Sequence, residues 1–195
     1  MLIGNPKIIQ VSALGAAVHS SSKFLQTKAL ADAALLNHPN TVVVRPSIVC
    51  TPNTMLSQKL KLLNKVCRFT GGLLPFPAGI LQTKLQPVTI DDLTELILQL
   101  CLRNDHQPII EVGGREMYTF HQLLETVPNC NRILPFPQPL FNRLYPLVST
   151  LFPFLLDKEQ KTLLQQDNVA DTTECEILLG RPMASTAAFW RTEFR

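Results

Sequence analysis

Charge is scarce in this sequence of 195 residues: Asp, Glu, Lys and Arg make up 17% of it, against 46% hydrophobic residues. The net charge is only +3, and the basic residues are scattered without a Lys/Arg block or an interleaved aromatic stripe, so no nucleic-acid partner is expected. The five cysteines (Cys50, Cys67, Cys101, Cys130, Cys175) are odd in number, far apart and without CxxC spacing. That argues against disulfide and zinc frameworks and for buried, reduced thiols in a cytoplasmic protein. The histidines His19, His38, His106 and His121 form no HExxH-like pair, and no metal is expected. The opening residues, Met-Leu-Ile-Gly-Asn-Pro-Lys, lack a basic start followed by an apolar run, so no signal peptide is expected. Long apolar runs are missing as well. The most membrane-like stretch, "PLFNRLYPLVSTLFPFLL" (Pro139 to Leu156), is interrupted by Arg143, Pro146 and Pro153 and falls short of the ~20 apolar residues of a spanning helix. A docking helix is its expected use, with membrane-surface contact as the alternative.

What is present suffices for one sizeable core, with a mean hydropathy of +0.13. "KIIQVS" (Lys7 to Ser12) reads as a buried strand followed by the small-residue turn "ALGAA". Ser20 to Ser22 supply N-cap oxygens for a helix with apolar Phe24, Leu25, Ala29, Leu30, Ala33 and Leu36. "TVVVRP" (Thr41 to Pro46) is a second strand, ended by a proline that a central ladder would not accept. Strand, helix, strand with short connections is a βαβ unit, so the strands should run parallel. A helix over residues 55–69 follows, then "TGGLLPFPAG" as loop. A helix opened by Asp91 and Asp92 comes next, then a third strand at "PIIEVGG" (Pro108 to Gly114). "TFHQLLETV" capped by Thr119, a short strand at "NRILPF", and helices near residues 139–151, 157–165 and 185–194 complete the series. There is no internal repeat.

One absence outweighs these elements. An α/β dinucleotide fold begins with a strand, a glycine-rich turn and a helix whose N-terminus takes the pyrophosphate. None of the eight glycines forms a GxGxxG cluster; Gly71-Gly72 and Gly113-Gly114 have neither the spacing nor the strand-before, helix-after setting. The sequence begins mid-sheet.

The succession "VSALGA", "SSSKFLQTKALAD", "TVVVRPSIV", "LQPVTIDDL", "IIEVGG" with "YTFHQLLETV", and "LLQQDNV" resembles the C-terminal part of atypical extended short-chain dehydrogenase/reductases. The nearest branch is the one containing the 39 kDa subunit of respiratory complex I. The resemblance implies a partial Rossmann-like doubly wound α/β sheet over residues 1–115, without its glycine-rich N-terminal half, and a small, mostly helical substrate subdomain over 116–195. It also implies a natural fragment of a longer chain or half of a split gene. In this family a YxxxK tyrosine and lysine act with an upstream serine or threonine: the ammonium lowers the tyrosine pKa and binds the nicotinamide ribose, and the serine holds the substrate oxygen. Here Ser12 takes the serine position, Lys28 the lysine position, and Phe24 stands where the tyrosine would be. By the same resemblance Arg45, Pro46, Ser47 and Val49 line the nicotinamide carboxamide, while Gln86, Pro87 and Val88 line the substrate side. NAD or NADP is the implied cofactor, once the missing half is supplied.

Plainer readings stand beside these. Phe24 is core on an apolar helical face, Lys28 a solvated helix lysine, and Ser12 a turn residue. Arg45 is a snorkelling strand-end arginine. Asp91 and Asp92 are a helix start, and Asp167 and Asn168 a turn. Three functions compete: a dinucleotide-binding protein without turnover, linked to assembly or regulation of a quinone- or NADH-linked enzyme at the inner-membrane periphery; a working reductase or epimerase; and a cofactor-free interaction module. A bare edge on the first strand predicts self-association or a protein partner.

Overall fold

The structure is a computed structural model that describes residues 6–52, 54–151 and 158–192. In chain order it contains β1 (Ile8–Val11), α1 (Lys23–Leu36), β2 (Thr41–Pro46), β3 (Val49–Cys50), α2 (Met55–Phe69) and β4 (Leu73–Pro77). There follow α3 (Ala78–Leu81), β5 (Lys84–Leu85), β6 (Val88–Thr89), α4 (Ile90–Leu102), β7 (Ile109–Val112) and β8 (Tyr118–Thr119). The last are α5 (Phe120–Glu125), β9 (Arg132–Phe136), α6 (Gln138–Leu151), α7 (Lys158–Leu163), α8 (Thr173–Leu179) and α9 (Ala187–Thr192). Residues 152–156 of the apolar stretch, and the ends of the helices expected at Asp157 and Phe194, lie outside the described residues. Among the described residues no helix is long and apolar enough to cross a membrane.

The chain divides into two compact units. The first takes Met1–Cys50, Gln86–Glu116 and Asn168–Thr186; the second takes Thr51–Leu85, Met117–Asp167 and Ala187–Arg195. The sequence suggested a single boundary after residue 115, whereas the chain passes between the units several times.

In the first unit β1, β2 and β7 form a parallel sheet in the order β1-β2-β7. Val11 stands opposite Val44, and Pro46 opposite Val112. β-branched residues favour this pleated, doubly covered setting. Val42, Val44, Ile110 and Val112 pack with Leu93, Leu96 and Leu100 of α4 and with Cys175 and Leu178 of α8. Val43, fully buried, points to the opposite face, where α1 lies. Pro46 does sit in the central strand, contrary to the sequence expectation. It is the last ladder position, where its carbonyl accepts from Leu14 N (2.9 Å) and the next residue, Ser47, supplies the N–H to Val112 O (2.8 Å). α8 was not expected from the sequence.

In the second unit "LLPFP", read above as loop, is strand β4, parallel to β9 with Leu73 opposite Arg132. Its period-2 pattern is obscured by two prolines. The unit also overturns the expectation of five reduced cysteines: Cys67 and Cys130 form a disulfide across 63 residues, with their Cα atoms 5.3 Å apart. Cys67 lies in α2 and Cys130 in the loop before β9, so no short spacing marks the pair.

Candidate functional site

The site expected from the sequence lies in the first unit, where β1 ends and α1 begins. Ser22, in extended conformation, caps α1 by accepting from Leu25 N at 3.2 Å. The cap fixes Phe24 and Lys28 one turn apart on the same side of the helix. Phe24 is 44% exposed rather than core; on α1 only Leu25, Ala29 and Asp32 are buried. The Lys28 ammonium donates to the Val11 carbonyl at 3.2 Å and stands 5.9 Å from the centre of the Phe24 ring. The structure thus brings Phe24, Lys28 and the end of β1 together.

Ser12, the next residue after β1, is buried and donates its own N–H to Val44 O (2.7 Å). Its hydroxyl donates to Asp32 Oδ2 at 2.9 Å. The same carboxylate oxygen accepts from Arg45 Nε at 3.0 Å and pairs with Nη2 at 3.0 Å, while Arg45 Nη1 reaches Glu111 at 3.9 Å. Asp32 is 1% exposed. A carboxylate this deep requires a paired charge, and Arg45 supplies it. Arg45 is therefore tied inward to α1. Asp32 was missed by sequence reasoning, although its position supplied a signal: it falls three and seven residues after Ala29 and Leu25, on the buried face of α1.

The segment after β2 is held by its backbone. Ser47 is buried, and its hydroxyl bonds the Asn168 side chain. Val49 pairs with Val88 in the β3–β6 ladder, and Val88 N donates to Ile48 O at 2.9 Å. Gln86 has its side chain fully engaged: Nε2 donates to Gly114 O (2.8 Å) and Oε1 accepts from Ala170 N (2.8 Å). Its backbone N–H donates to Asn168 O (3.0 Å), and its carbonyl accepts from Gly114 N (3.0 Å). A Cβ on Gly114 would stand 1.8 Å from Pro87 O, so only glycine allows the two backbones to cross there, while one on Gly113 would stand 2.6 Å from Gln86 Cδ and displace that side chain. Asn168, read above as a turn residue, joins Ser47 to Gln86, and Asp167 accepts from Lys84 N (2.8 Å).

Asp92 does more than open a helix. Thr89 caps α4 by accepting from Asp92 N (3.1 Å), and the fully buried Asp92 carboxylate takes Ala184 N (2.7 Å) and Arg181 (2.8 Å). Glu95 and then Asp92 hold the Arg181 guanidinium still more firmly in its charged form. Asp91, exposed, keeps the helix-start role. Cys175 donates to Glu111 O at 3.4 Å; burial first, and then Glu174, pushes its thiol up to about 12. Among the described residues no group of His, Cys, Asp and Glu is arranged to hold a metal ion.

The arrangement offers the Lys28 ammonium, an aromatic ring with no exchangeable proton, and a serine hydroxyl facing a carboxylate that Arg45 also holds. It can bind an electron-rich oxygen at Lys28, which has ammonium protons beyond the one given to Val11. Ring and ammonium together supply no phenol for proton transfer.

No protein-family model matches the chain. It is 35% identical over 146 residues to subunit 9 of the NADH dehydrogenase (ubiquinone) 1 alpha subcomplex, mitochondrial, of Arabidopsis thaliana, covering 69% of this chain and 34% of the relative. Among solved structures it is similar to an NADPH-dependent quinone oxidoreductase of Escherichia coli, complexed with NADPH (TM-score 0.63, 16% identity, 96% of this chain, 65% of that one). A nucleoside-diphosphate-sugar epimerase of Staphylococcus aureus is similar too (TM-score 0.60, 16% identity, 95% of this chain, 64% of that one). Identities this low speak for the fold alone, which is the Rossmann-like α/β architecture expected from the sequence. The chain spans about a third of the length of the curated relative and under two thirds of the two solved chains.

Proposed function

This chain belongs to the short-chain dehydrogenase/reductase family, in the branch of the complex I 39 kDa subunit, and we propose that it binds the nicotinamide end of NAD or NADP without turning it over. The observation that carries this reading is the Lys28 ammonium, held by Val11 O beside the Phe24 ring. Lys28 is the donor for the ribose hydroxyls. The backbone from Arg45 to Val49 is the wall against the carboxamide, and Gln86 and Val88 shape the substrate side. A bound dinucleotide supplies a hydride acceptor or donor; this chain's residues would have to move the matching proton. Phe24 has none, and the Ser12 hydroxyl is directed to Asp32. The pyrophosphate and adenosine need a glycine-rich turn that this sequence lacks, so full affinity requires that half from elsewhere. The Arabidopsis relative is named as a subunit of NADH dehydrogenase, and that supports an accessory role in assembly or regulation of such an enzyme, at the periphery of its membrane.

The test is a titration of the chain, completed by a glycine-rich N-terminal half, with NADH and NADPH, read by melting temperature and Trp190 fluorescence. Binding to the folded state alone raises stability by about 2.7 kcal/mol at a hundredfold excess over Kd. A rise in melting temperature that Lys28→Met removes, with no cofactor oxidation at 340 nm when a soluble quinone is added as hydride acceptor, is the expected result. No rise with either dinucleotide sinks the binding claim; steady oxidation sinks the claim of silence and favours a working reductase. A second reading rests on β1, which pairs only with β2 among the described residues. Its other edge fits a strand from a partner or a second copy, and light scattering showing a stable monomer would refute that.

A further inference from the structure

We propose that the C-terminal half of α2 and the turn after it form a docking surface for an anionic phospholipid bilayer. This claim concerns the second unit alone and does not depend on the dinucleotide reading. α2 carries Lys59, Lys61, Lys65 and Arg68 and no acidic residue. The sequence has no Asp or Glu between Asp32 and Asp91, so the whole of α2 and β4 lies in an acid-free stretch. Charge is divided unevenly between the units. The first has seven Lys/Arg and ten Asp/Glu, the second eleven Lys/Arg and five Asp/Glu, an imbalance hidden in the overall +3.

Lys61, Lys65 and Arg68 recur at four- and three-residue intervals, which places them along one side of the helix. Lys65 and Arg68 are exposed and, with Phe69, line an open hollow. Arg132, also exposed, stands opposite Leu73 in the β4–β9 ladder, just past the Gly71-Gly72 turn that ends α2. Phe69 is 92% exposed and Leu73 is 36% exposed. Cations alone would suit any polyanion. A bare phenyl ring among them suits a bilayer, because the ammonium and guanidinium groups meet lipid phosphates while the ring enters the interfacial zone. A soluble polyphosphate offers nothing to Phe69.

The experiment is sedimentation of the full chain with vesicles of phosphatidylcholine alone and with about one quarter phosphatidylglycerol. The chain is expected to bind the mixed vesicles, not the neutral ones, and to be released when salt shortens the Debye length from about 8 to about 3 Å. Replacing both Lys65→Ala and Arg68→Ala should weaken binding roughly thirty-fold, at about a factor of five for each cation near the surface. Phe69→Ser should weaken it at unchanged charge, whereas Lys23→Ala with Arg115→Ala, exposed cations of the first unit, should leave it intact. All these side chains are exposed, and an unchanged melting temperature checks the fold. Equal binding to both vesicle types, no binding, or an undiminished double variant overturns the proposal. So does competition by inositol hexakisphosphate together with an unaffected Phe69→Ser, which would mark a site for a soluble polyanion.

Discussion

Ser12 donates its hydroxyl proton to Asp32 Oδ2 across 2.9 Å, from the end of a strand to the buried face of a helix. Arg45 closes on the same oxygen, with its side chain 17% exposed and that of Asp32 2% exposed. Removing Asp32 leaves a mostly buried guanidinium with only the distant Glu111, so Asp32→Ala should cost about 3–5 kcal/mol. Ser12→Ala should cost only about 1–2 kcal/mol, because Arg45 still holds Asp32 Oδ2. Replacing Asp32→Leu and Arg45→Met together should recover much of the loss. Urea denaturation of the variants decides this, and a cost for Asp32→Ala no larger than for Ser12→Ala would contradict the network.

Phe24→Tyr would place a phenol beside the Lys28 ammonium, which now stands 5.9 Å from the ring centre. A neighbouring positive charge favours the phenolate, so this tyrosine should titrate below the ordinary value of about 10. The variant-minus-parent absorbance near 295 nm reads the new phenol over Tyr118 and Tyr145. The acid shift should vanish in Phe24→Tyr combined with Lys28→Met. An ordinary titration in the single variant would mean that Lys28 is committed to Val11 and unable to activate a phenol.

The parallel β1–β2–β7 sheet was legible because its strands are short β-branched runs bounded by turn residues, and α1, α2 and α4 because their caps and spacing are local signals. β4 was not: its prolines and the flanking glycines read as loop, and only pairing with β9, about 60 residues on, makes it a strand. The Phe24–Lys28 pair could be read from helical spacing, whereas the partners of Ser12, Gln86 and Asp92 come from distant parts of the chain. A hydroxyl beside a strand end looks like a substrate clamp until the fold brings Asp32 beneath it. Charge compensation of this kind is a tertiary property, and composition carries no trace of it.

The Cys67–Cys130 bond closes a 63-residue separation within the second unit, from the end of α2 to the residues before β9. Cross-linking a loop of that size restricts the unfolded chain by about 4 kcal/mol in the entropic model. Reduction under native conditions should be slow, because Cys67 is fully buried and Cys130 is 7% exposed. Once the chain is unfolded and reduced, the melting temperature on refolding should be lower than that of the oxidised protein. Cys67→Ser with Cys130→Ser should reproduce the drop. Equal melting temperatures for oxidised and reduced forms would rule out a stabilising bridge.

Cys175 makes stability fall at alkaline pH. In the fold its thiol is raised from 9.0 to about 12, chiefly by burial and then by Glu174. Below pH 9 both the folded and the unfolded chain keep the proton, and the difference has no effect. Between pH 9 and 12 the unfolded chain ionises while the folded one does not, so unfolding gains up to about 1.4 kcal/mol per pH unit. Stability present below pH 9 is therefore lost as pH rises through that window. Cys175→Ala leaves a small cavity and lowers stability at every pH, but it should remove this part of the slope. Denaturation midpoints of parent and variant from pH 8 to pH 11 give the comparison, the lysines and tyrosines being common to both. Alkylation separates the thiols in the same range: exposed Cys101 should react with iodoacetamide while Cys175 stays protected until the chain unfolds. Parallel pH profiles for parent and variant would show that the thiolate is tolerated in the core.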